Sequence, residues 1–263
     1  MLFRSALLVI SDGKTRVAHQ ADAPLAVGSA MKLAILAALD DAVKQGRLGW
    51  DQVVRLDAKW STLPSSTLIK WPLQTPMTIA SLANFMISIS DNMATDALID
   101  IVGRAPIEAI TPRNSPFLTT SEMFKLSANA DMLAAWAHAD AAARRALLEP
   151  IDRLPLPDAG QLTHSTETAE WFLSAREICT LLGRVAALPA MSINPGLADP
   201  QDWTSVAYKG GSDQGVLNFS TRLVSRDGKV HCVVASWNDD KAVQMDKLAE
   251  PYRGILRKLA EPE

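Results

Sequence analysis

The chain has 263 residues, of which 48% are hydrophobic and 21% charged, and its formal net charge is -3. This composition supplies a large buried core, while the absence of a long basic run argues against a nucleic-acid partner. The sequence contains no uncharged apolar run long enough to span a membrane. The two cysteines, Cys179 and Cys232, match neither a disulfide framework nor a metal site, and the four histidines show no ligand spacing. We therefore predict no metal and no other cofactor.

The first 45 residues predict a hairpin followed by a buried helix. Residues 5–10 are apolar and predict a strand, Asp12-Gly13 is typical of a hairpin turn, and residues 15–19 predict the returning strand. A chain that begins inside a sheet leads us to expect a missing upstream segment. Residues 29–45 predict a helix that Gly46 ends, and its segment 32–39 is apolar on every side apart from Lys32.

The middle of the chain predicts mostly helices. Residues 53–76 are rich in proline and tryptophan and predict loops with short extended pieces, after which Thr78 caps a helix over 79–89. Ser90-Asp91-Asn92 then forms a turn before a helix over 93–102. Prolines interrupt residues 103–157, and residues 152–168 predict a loop. The remaining helices predicted here cover residues 121–126, 130–139 and 141–148.

The last third predicts a helix, three strands and a final helix. Ser174-Ala175-Arg176-Glu177 is a capping box for a helix to about 187, and Asp239 or Asp240 is expected to cap the last helix, which ends near 260. Strands are predicted over 206–209, 216–225 and 230–237. The fold class is α+β, an antiparallel sheet built from both termini and flanked by helices, with an inserted all-α lobe. We expect one domain, its α/β lobe from about 1–28 and 190–263 and its helical lobe from about 29–189.

Two Ser-x-x-Lys patterns differ in context. Ser29-Ala30-Met31-Lys32 opens the buried helix, so its serine and lysine lie on one helix face. A charged lysine there costs several kcal/mol unless it is paired or neutral, and a neutral amine is a base that can activate a serine. Ser11-Asp12-Gly13-Lys14 falls in the hairpin turn, where no helix can form.

Three short motifs in order resemble those of the class A β-lactamases and penicillin-binding proteins. They are Ser29-Ala30-Met31-Lys32, Ser90-Asp91-Asn92 and Lys209-Gly210-Gly211. The resemblance covers nearly the whole chain and implies the β-lactamase/transpeptidase-like fold. It also implies catalysis through an acyl-enzyme, a small-molecule or peptide-like substrate, and a periplasmic or secreted location, although no signal peptide is visible.

The resemblance also implies a role for each motif residue. Ser29 would be the nucleophile, and its backbone N–H and that of Ser212 would stabilise the oxyanion. Lys32 would be the base, with its pKa lowered by burial and by Lys209. Ser90 would pass a proton between the leaving group and either Lys209 or Lys32, which makes Lys209 a catalytic residue as well. The substrate would be held by Asn92, Lys209, Gly210, Gly211 and Ser212. Two weaker candidates for substrate contact are Trp71, which could wall a cleft or pack on the surface, and Arg222, which could bind a carboxylate or be solvated.

Two departures from the family pattern affect the function. Gly210 stands where the family has Thr or Ser, so a hydroxyl is absent unless Ser212 or Ser205 replaces it. The Glu-x-x-x-Asn motif of the deacylating glutamate is also absent. Glu122 lies nearest the expected distance, but a glutamate in the first turn of a helix is favourable in its own right. Weaker alternatives are Glu149, Glu167 and Glu170.

These observations leave three hypotheses. The first is an active-site serine hydrolase acting on an ester or amide, which includes a true β-lactamase that uses Glu122 as its base. The second is a binding or sensor domain that is acylated once and stays acylated, and the third is a degenerate structural module. The retained reactive groups argue against the third, while substrate identity and oligomeric state stay open.

Overall fold

A computed structural model describes residues 4–63, 66–162 and 168–261. The described residues form two compact units, a sheet unit of residues 4–33 and 172–261 and a helical unit, Ala34–Trp171. Among these residues, no helix combines the length and the apolar character that crossing a bilayer requires. The strands are β1 (Arg4–Ser11), β2 (Lys14–His19), β3 (Leu25–Ala26), β4 (Val53–Arg55), β5 (Pro76–Thr78), β6 (Phe172–Leu173), β7 (Ser205–Tyr208), β8 (Gly211–Asp213), β9 (Val216–Val224) and β10 (Val230–Asn238).

The helices confirm most of the predicted pattern. Thr78 caps the first helix of the middle region through its side chain, and Ser174 and Glu177 form the predicted capping box. The α-helices are α1 (Lys32–Lys44), α2 (Ile79–Ser88), α3 (Asn92–Val102), α4 (Arg104–Ile110), α5 (Thr120–Ser127), α6 (Ala130–His138), α7 (Ala141–Asp152), α8 (Ala175–Val185) and α9 (Met245–Ala260).

The sheet unit is built on an antiparallel sheet whose described strands come from both ends of the chain. Their order is β2-β1-β10-β9-β7, with β8 also paired to β9. One face packs on α9, where the hydroxyl of Tyr252 lies 2.7 Å from the Thr221 hydroxyl and donates to the Val233 carbonyl at 2.9 Å. This arrangement confirms the predicted fold class.

The opposite face of the sheet carries a disulfide that the sequence analysis did not expect. Cys179 of α8 is bonded to Cys232 of β10, 53 positions later in the chain. The spacing gave no signal because the pairing depends on α8 packing against the sheet face that bears Cys232. The interpretation that the two cysteines match no disulfide framework was therefore wrong.

The helical unit has a core of fully buried aliphatic side chains. Residues 34–39 of α1 are at most 1% exposed, and α2 packs against α3. This core also contains a buried carboxylate, Asp96. It accepts hydrogen bonds from the backbone N–H groups of Thr120 at 2.7 Å and Ser121 at 3.0 Å. Burial raises the pKa of Asp96 to about 7, although these hydrogen bonds act in the opposite direction.

Four details of the predicted fold were wrong. α4 was missed because Pro106 was taken as a breaker, but it lies in the first helical turn, where no N–H is needed. β8 was missed because it is only three residues long. Neither Asp239 nor Asp240 caps α9; Gln244 precedes it, and Asp239 accepts instead from the backbone of Lys241. α8 groups with the sheet unit rather than with the helical lobe.

Candidate active site

Ser29 and Lys32 lie at the junction of a tight turn and a buried helix. The 3-10 turn Gly28–Met31 precedes α1, and the backbone N–H of Lys32 donates to the carbonyl of Ser29. Residues three apart in such a turn are stacked on one side. Ser29 is half-buried, whereas Lys32 is fully buried, as predicted from the apolar pattern of the helix.

The strand that follows the third motif is packed directly against this turn. A Cβ added at Gly211 would lie 2.0 Å from the Val27 carbonyl oxygen and 2.8 Å from the Ser29 nitrogen. A Cβ added at Gly28, whose φ is +51°, would lie 3.1 Å from the Ser212 nitrogen. Glycine at these two positions allows the close approach of the Ser29 turn to the backbone of Ser212.

Two buried asparagines form hydrogen bonds in the segments that flank this turn. The side-chain amide of Asn238 donates to the Ala26 carbonyl at 2.9 Å and accepts from the Ala26 N–H at 2.8 Å. Asn218, opposite Gly211 in the sheet, donates to the Ser236 hydroxyl at 2.8 Å and accepts from Ser220 at 2.6 Å. The sequence analysis missed these asparagines; the only available signal was the occurrence of amides within two apolar strands.

Lys209 is a buried amine next to the same strand edge. Its side chain donates to the carbonyl of Gly210 at 2.7 Å, and its backbone N–H donates to Ser220. Burial lowers the pKa of Lys209 to about 7, so the amine exchanges protons near neutrality. Such a group can both attract an anion and take part in proton transfer.

Ser90 and Asn92 belong to the helical unit, where Asp91 fixes the turn between α2 and α3. The buried Asp91 carboxylate accepts from the Ser66 hydroxyl at 2.7 Å and from the backbone N–H groups of Leu68 and Ala94, each at 2.9 Å. Ser90 has a φ of +61°, which is uncommon for a residue with a side chain. Asn92 is the first residue of α3. The sequence analysis gave Asp91 no role.

Glu122 has a structural explanation within the helical unit. It is fully buried, it pairs with Arg104 through both oxygens at 2.6 and 2.9 Å, and it accepts from the Thr119 N–H at 2.7 Å. Thr119 in turn caps α5, so the two residues form a capping box. These contacts favour the helix-capping interpretation over that of a catalytic base.

The other candidate carboxylates have different surroundings. Glu149 is exposed and pairs with Arg153, one helical turn away. Glu170 is buried and accepts from the N–H of Trp171 at 3.0 Å. Glu167 lies outside the described residues.

The two weaker substrate-binding candidates lie in ordinary structural settings. Trp71 is 40% exposed and packs edge-on against Phe85 within the helical unit. Arg222 is half-buried on β9 and pairs with Ala207. It is four residues, about 13 Å along the strand, from the partner of Gly211. It is only two residues from Ser220, which accepts from the backbone N–H of Lys209, so a part for Arg222 in substrate binding stays a prediction.

Solved structures with the same fold include PBP-A and class A β-lactamases. PBP-A superposes with a TM-score of 0.66 at 16% identity, covering 98% of this chain and 90% of that chain. An ancestral (GNCA) class A β-lactamase gives 0.67 at 16% identity, covering 97% and 93%. A β-lactamase from Sphaerobacter thermophilus DSM 20745 gives 0.62 at 19% identity, covering 98% and 89%. The fold is thus that of the β-lactamase/transpeptidase-like serine hydrolases.

A sequence model described as the Beta-lactamase enzyme family matches residues 5–188, which is more than half of the chain, so the chain belongs to that family. No curated protein sequence matches it. Family and fold together identify a serine hydrolase of the β-lactamase type.

Proposed function

We propose that this protein cleaves an ester or amide through an acyl-enzyme on Ser29. The observation that supports this proposal is the close packing of the Gly211 and Ser212 backbone on the turn of Ser29, since an oxyanion site needs two neighbouring backbone N–H groups. A point mutant of PBP-A has been solved as an acyl-enzyme complex with penicillin G, which makes acylation by a β-lactam a reasonable first test of this fold.

The proposed chemistry assigns each proton. The Ser29 oxygen attacks the substrate carbonyl carbon while its proton passes to the neutral amine of Lys32. The tetrahedral intermediate is stabilised by the N–H groups of Ser29 and Ser212. When it collapses, the bond to the leaving group breaks, and Ser90 delivers its proton to that group while it receives the proton that Lys32 took from Ser29. Asn92 and Lys209 would hold the substrate.

We further propose that deacylation is slow. The sequence has no Glu-x-x-x-Asn motif, and both oxygens of Glu122 are engaged by Arg104 and the capping box. If Glu122 does not act as the base that activates water, we expect the acyl-enzyme to persist. This favours the second candidate function, a binding or sensor domain that is labelled once, over a true β-lactamase.

The experiment that tests the function combines mass spectrometry with turnover assays. Intact-mass analysis after incubation with penicillin G or a fluorophosphonate should show one adduct, whereas nitrocefin and a p-nitrophenyl ester report turnover. The Ser29→Ala variant should lose every signal. Ser11→Ala is the matched control because Ser11 heads the other Ser-x-x-Lys pattern, in the hairpin turn, and should retain them all.

The possible outcomes separate the hypotheses. A stable adduct without turnover identifies the sensor, and rapid nitrocefin hydrolysis identifies a β-lactamase. Labelling or turnover that survives in Ser29→Ala would disprove the assignment of the nucleophile.

A further inference from the structure

The segment that leads into the turn of Ser29 is held by a very short strand. β3 has only two residues, Leu25–Ala26, and pairs with β6. After Ala26, Val27 leaves the extended conformation with a φ of -123° and a ψ of -1°, and Gly28 has a φ of +51°. Because the chain turns sharply after Ala26, the direction of the Ser29 backbone depends on how Ala26 is fixed.

A single side-chain amide binds both backbone groups of Ala26. The Ala26 N–H donates to Oδ1 of Asn238 at 2.8 Å, and Nδ2 of Asn238 donates to the Ala26 carbonyl at 2.9 Å. Both residues are fully buried. In a sheet, a neighbouring strand would make two such bonds with its own backbone. Here the last residue of β10 makes them with its side chain, so β10 is bonded to the strand that precedes the nucleophile.

The amide of Asn238 is not needed to hold β10 in its own sheet. β10 pairs with β1 on one side and with β9 on the other, and beyond Asn238 the N–H of Asp239 donates to the Gly215 carbonyl at 2.9 Å. An amide in a buried strand position costs free energy unless its hydrogen bonds are made, whereas an apolar side chain would carry no such cost. The amide therefore serves the Ala26 segment rather than the sheet.

The strand of the third motif contacts the same segment one residue further on. A Cβ added at Gly211 would lie 2.0 Å from the Val27 carbonyl oxygen and 2.8 Å from the Ser29 nitrogen. The Ala26 carbonyl is thus bonded to Asn238, and the next carbonyl lies against the backbone of Gly211. A shift of Ala26 would change the distance between the Ser29 N–H and this strand, and oxyanion donors are effective only when their positions are held closely.

We propose that Asn238 is a positioning residue for acylation. Its two bonds to Ala26 hold the turn of Ser29 against the strand of Gly211 and Ser212, so that the N–H groups of Ser29 and Ser212 face the same oxygen. Asn238 is fully buried and acts through the turn rather than on the substrate. This inference rests on the proposed function, and it adds to the acylation machinery a residue that lies outside the three motifs.

The test separates binding from acylation in variants that keep the approximate volume of the side chain. Asn238→Asp keeps an acceptor for the Ala26 N–H, but an ionised carboxylate cannot donate to the Ala26 carbonyl, and Asn238→Leu makes neither bond. Intact mass followed over time at several penicillin G concentrations gives the acylation rate constant of Ser29 and the dissociation constant of the complex that precedes it.

We expect the two constants to respond differently. The acylation rate constant should fall at least about tenfold in Asn238→Asp and further in Asn238→Leu, since misplacing catalytic groups by about 1 Å costs roughly a hundredfold. The dissociation constant should stay within about twofold of wild type, because oxyanion stabilisation acts on the transition state and not on the bound substrate.

An arylboronic acid gives an independent measure at equilibrium. It forms a tetrahedral adduct with a serine hydroxyl and so resembles the transition state, and its affinity should fall together with the acylation rate constant. Tyr252→Phe is the matched control, because it removes buried hydrogen bonds to Thr221 and Val233 on the α9 face of the same sheet, opposite to that of Asn238. It should lower the unfolding temperature and leave the rate constant and the boronate affinity unchanged.

The outcomes separate this inference from the proposed function. Wild-type acylation rate constants in both Asn238 variants, with Ser29 still labelled, would overturn the role of Asn238 alone. An equal loss of acylation in Tyr252→Phe would overturn it as well, because the loss would then follow stability. If neither Asn238 variant folded, the residue would be needed for the fold itself and the inference would fail. A wild-type protein that neither penicillin G nor a fluorophosphonate labels at Ser29 would overturn the proposed function and this inference with it.

Discussion

Ser90 shows how a single residue can be kept in an unfavourable conformation by its neighbours. Its φ of +61° costs a residue with a side chain on the order of 1 kcal/mol. The next residue, Asp91, anchors the turn through Ser66, Leu68 and Ala94, and so compensates for this cost. Glycine would be the easiest residue at position 90, and its absence suggests that the hydroxyl is used.

We therefore expect Ser90→Gly to separate stability from activity. The free energy of unfolding should stay within about 1 kcal/mol of wild type, since glycine relieves the strain but loses more entropy on folding. Acylation of Ser29 should slow by roughly a hundredfold, because a proton relay is lost. Gln74→Gly is the control: Gln74 is exposed, has a φ of +67° and should show the same small stability change with normal acylation. Wild-type acylation in Ser90→Gly would disprove the relay.

For single residues, the sequence predicts which side chains are chemically unusual for their surroundings, but not which side chains they contact. The burial of Lys32 could be predicted, because a lysine among apolar residues is anomalous wherever it occurs. The packing of Tyr208 beside Gly210 could not be predicted, because it exists only once the ring lies against Gly196. The capping role of Glu122 was weighed from its position in the first helical turn, but its ion pair with Arg104 depends on how α4 lies beside α5.

At the scale of elements, the start of a helix could be predicted from the sequence where the capping contact joins residues only a few positions apart. Thr78 and Ser174 bond to N–H groups three positions away, so their helix starts could be predicted. The start of α9 could not, since Asp239 is engaged by Lys241 and Trp237 instead. β8 depends entirely on its pairing with β9.

The disulfide is the strongest single link between elements of the sheet unit. Bonding Cys179 to Cys232 closes a chain segment of 53 positions, for which chain entropy gives a stabilisation of about 4 kcal/mol. We expect the Cys179→Ala/Cys232→Ala variant to unfold at a temperature several degrees lower than the oxidised wild type. A reductant should lower the unfolding temperature of wild type only, so the double variant is also the control. Two free thiols in unreduced, denatured wild type would disprove the bond.

The bond also bears on the compartment in which the protein works. Stable disulfides form and persist in oxidising surroundings and are rare in reducing ones. We therefore propose a periplasmic or secreted location, which the family resemblance also implies.

Across the whole molecule, two buried groups give stability opposite dependences on pH. The pKa of Asp96, about 7, is above its ordinary 3.8, so the folded protein binds more protons there and stability falls as pH rises from 4 to 7. The pKa of Lys209, about 7, is below its ordinary 10.5, so the unfolded chain binds more protons there and stability rises from pH 7 to 10. Each contribution is on the order of 4 kcal/mol.

We expect each slope to be removed by its own variant. Asp96→Asn should flatten the dependence of the unfolding temperature on pH between 4 and 7, and Lys209→Met should flatten it between 7 and 10. Lys241→Met is the control for the second variant, because Lys241 is exposed and should leave both slopes unchanged. The comparison uses slopes rather than absolute temperatures, because Asn at position 96 also alters the hydrogen bonds to Thr120 and Ser121. If Lys209→Met kept the full rise above pH 7, the amine would be titrating at its ordinary value, and its proposed part in proton exchange near neutrality would fail.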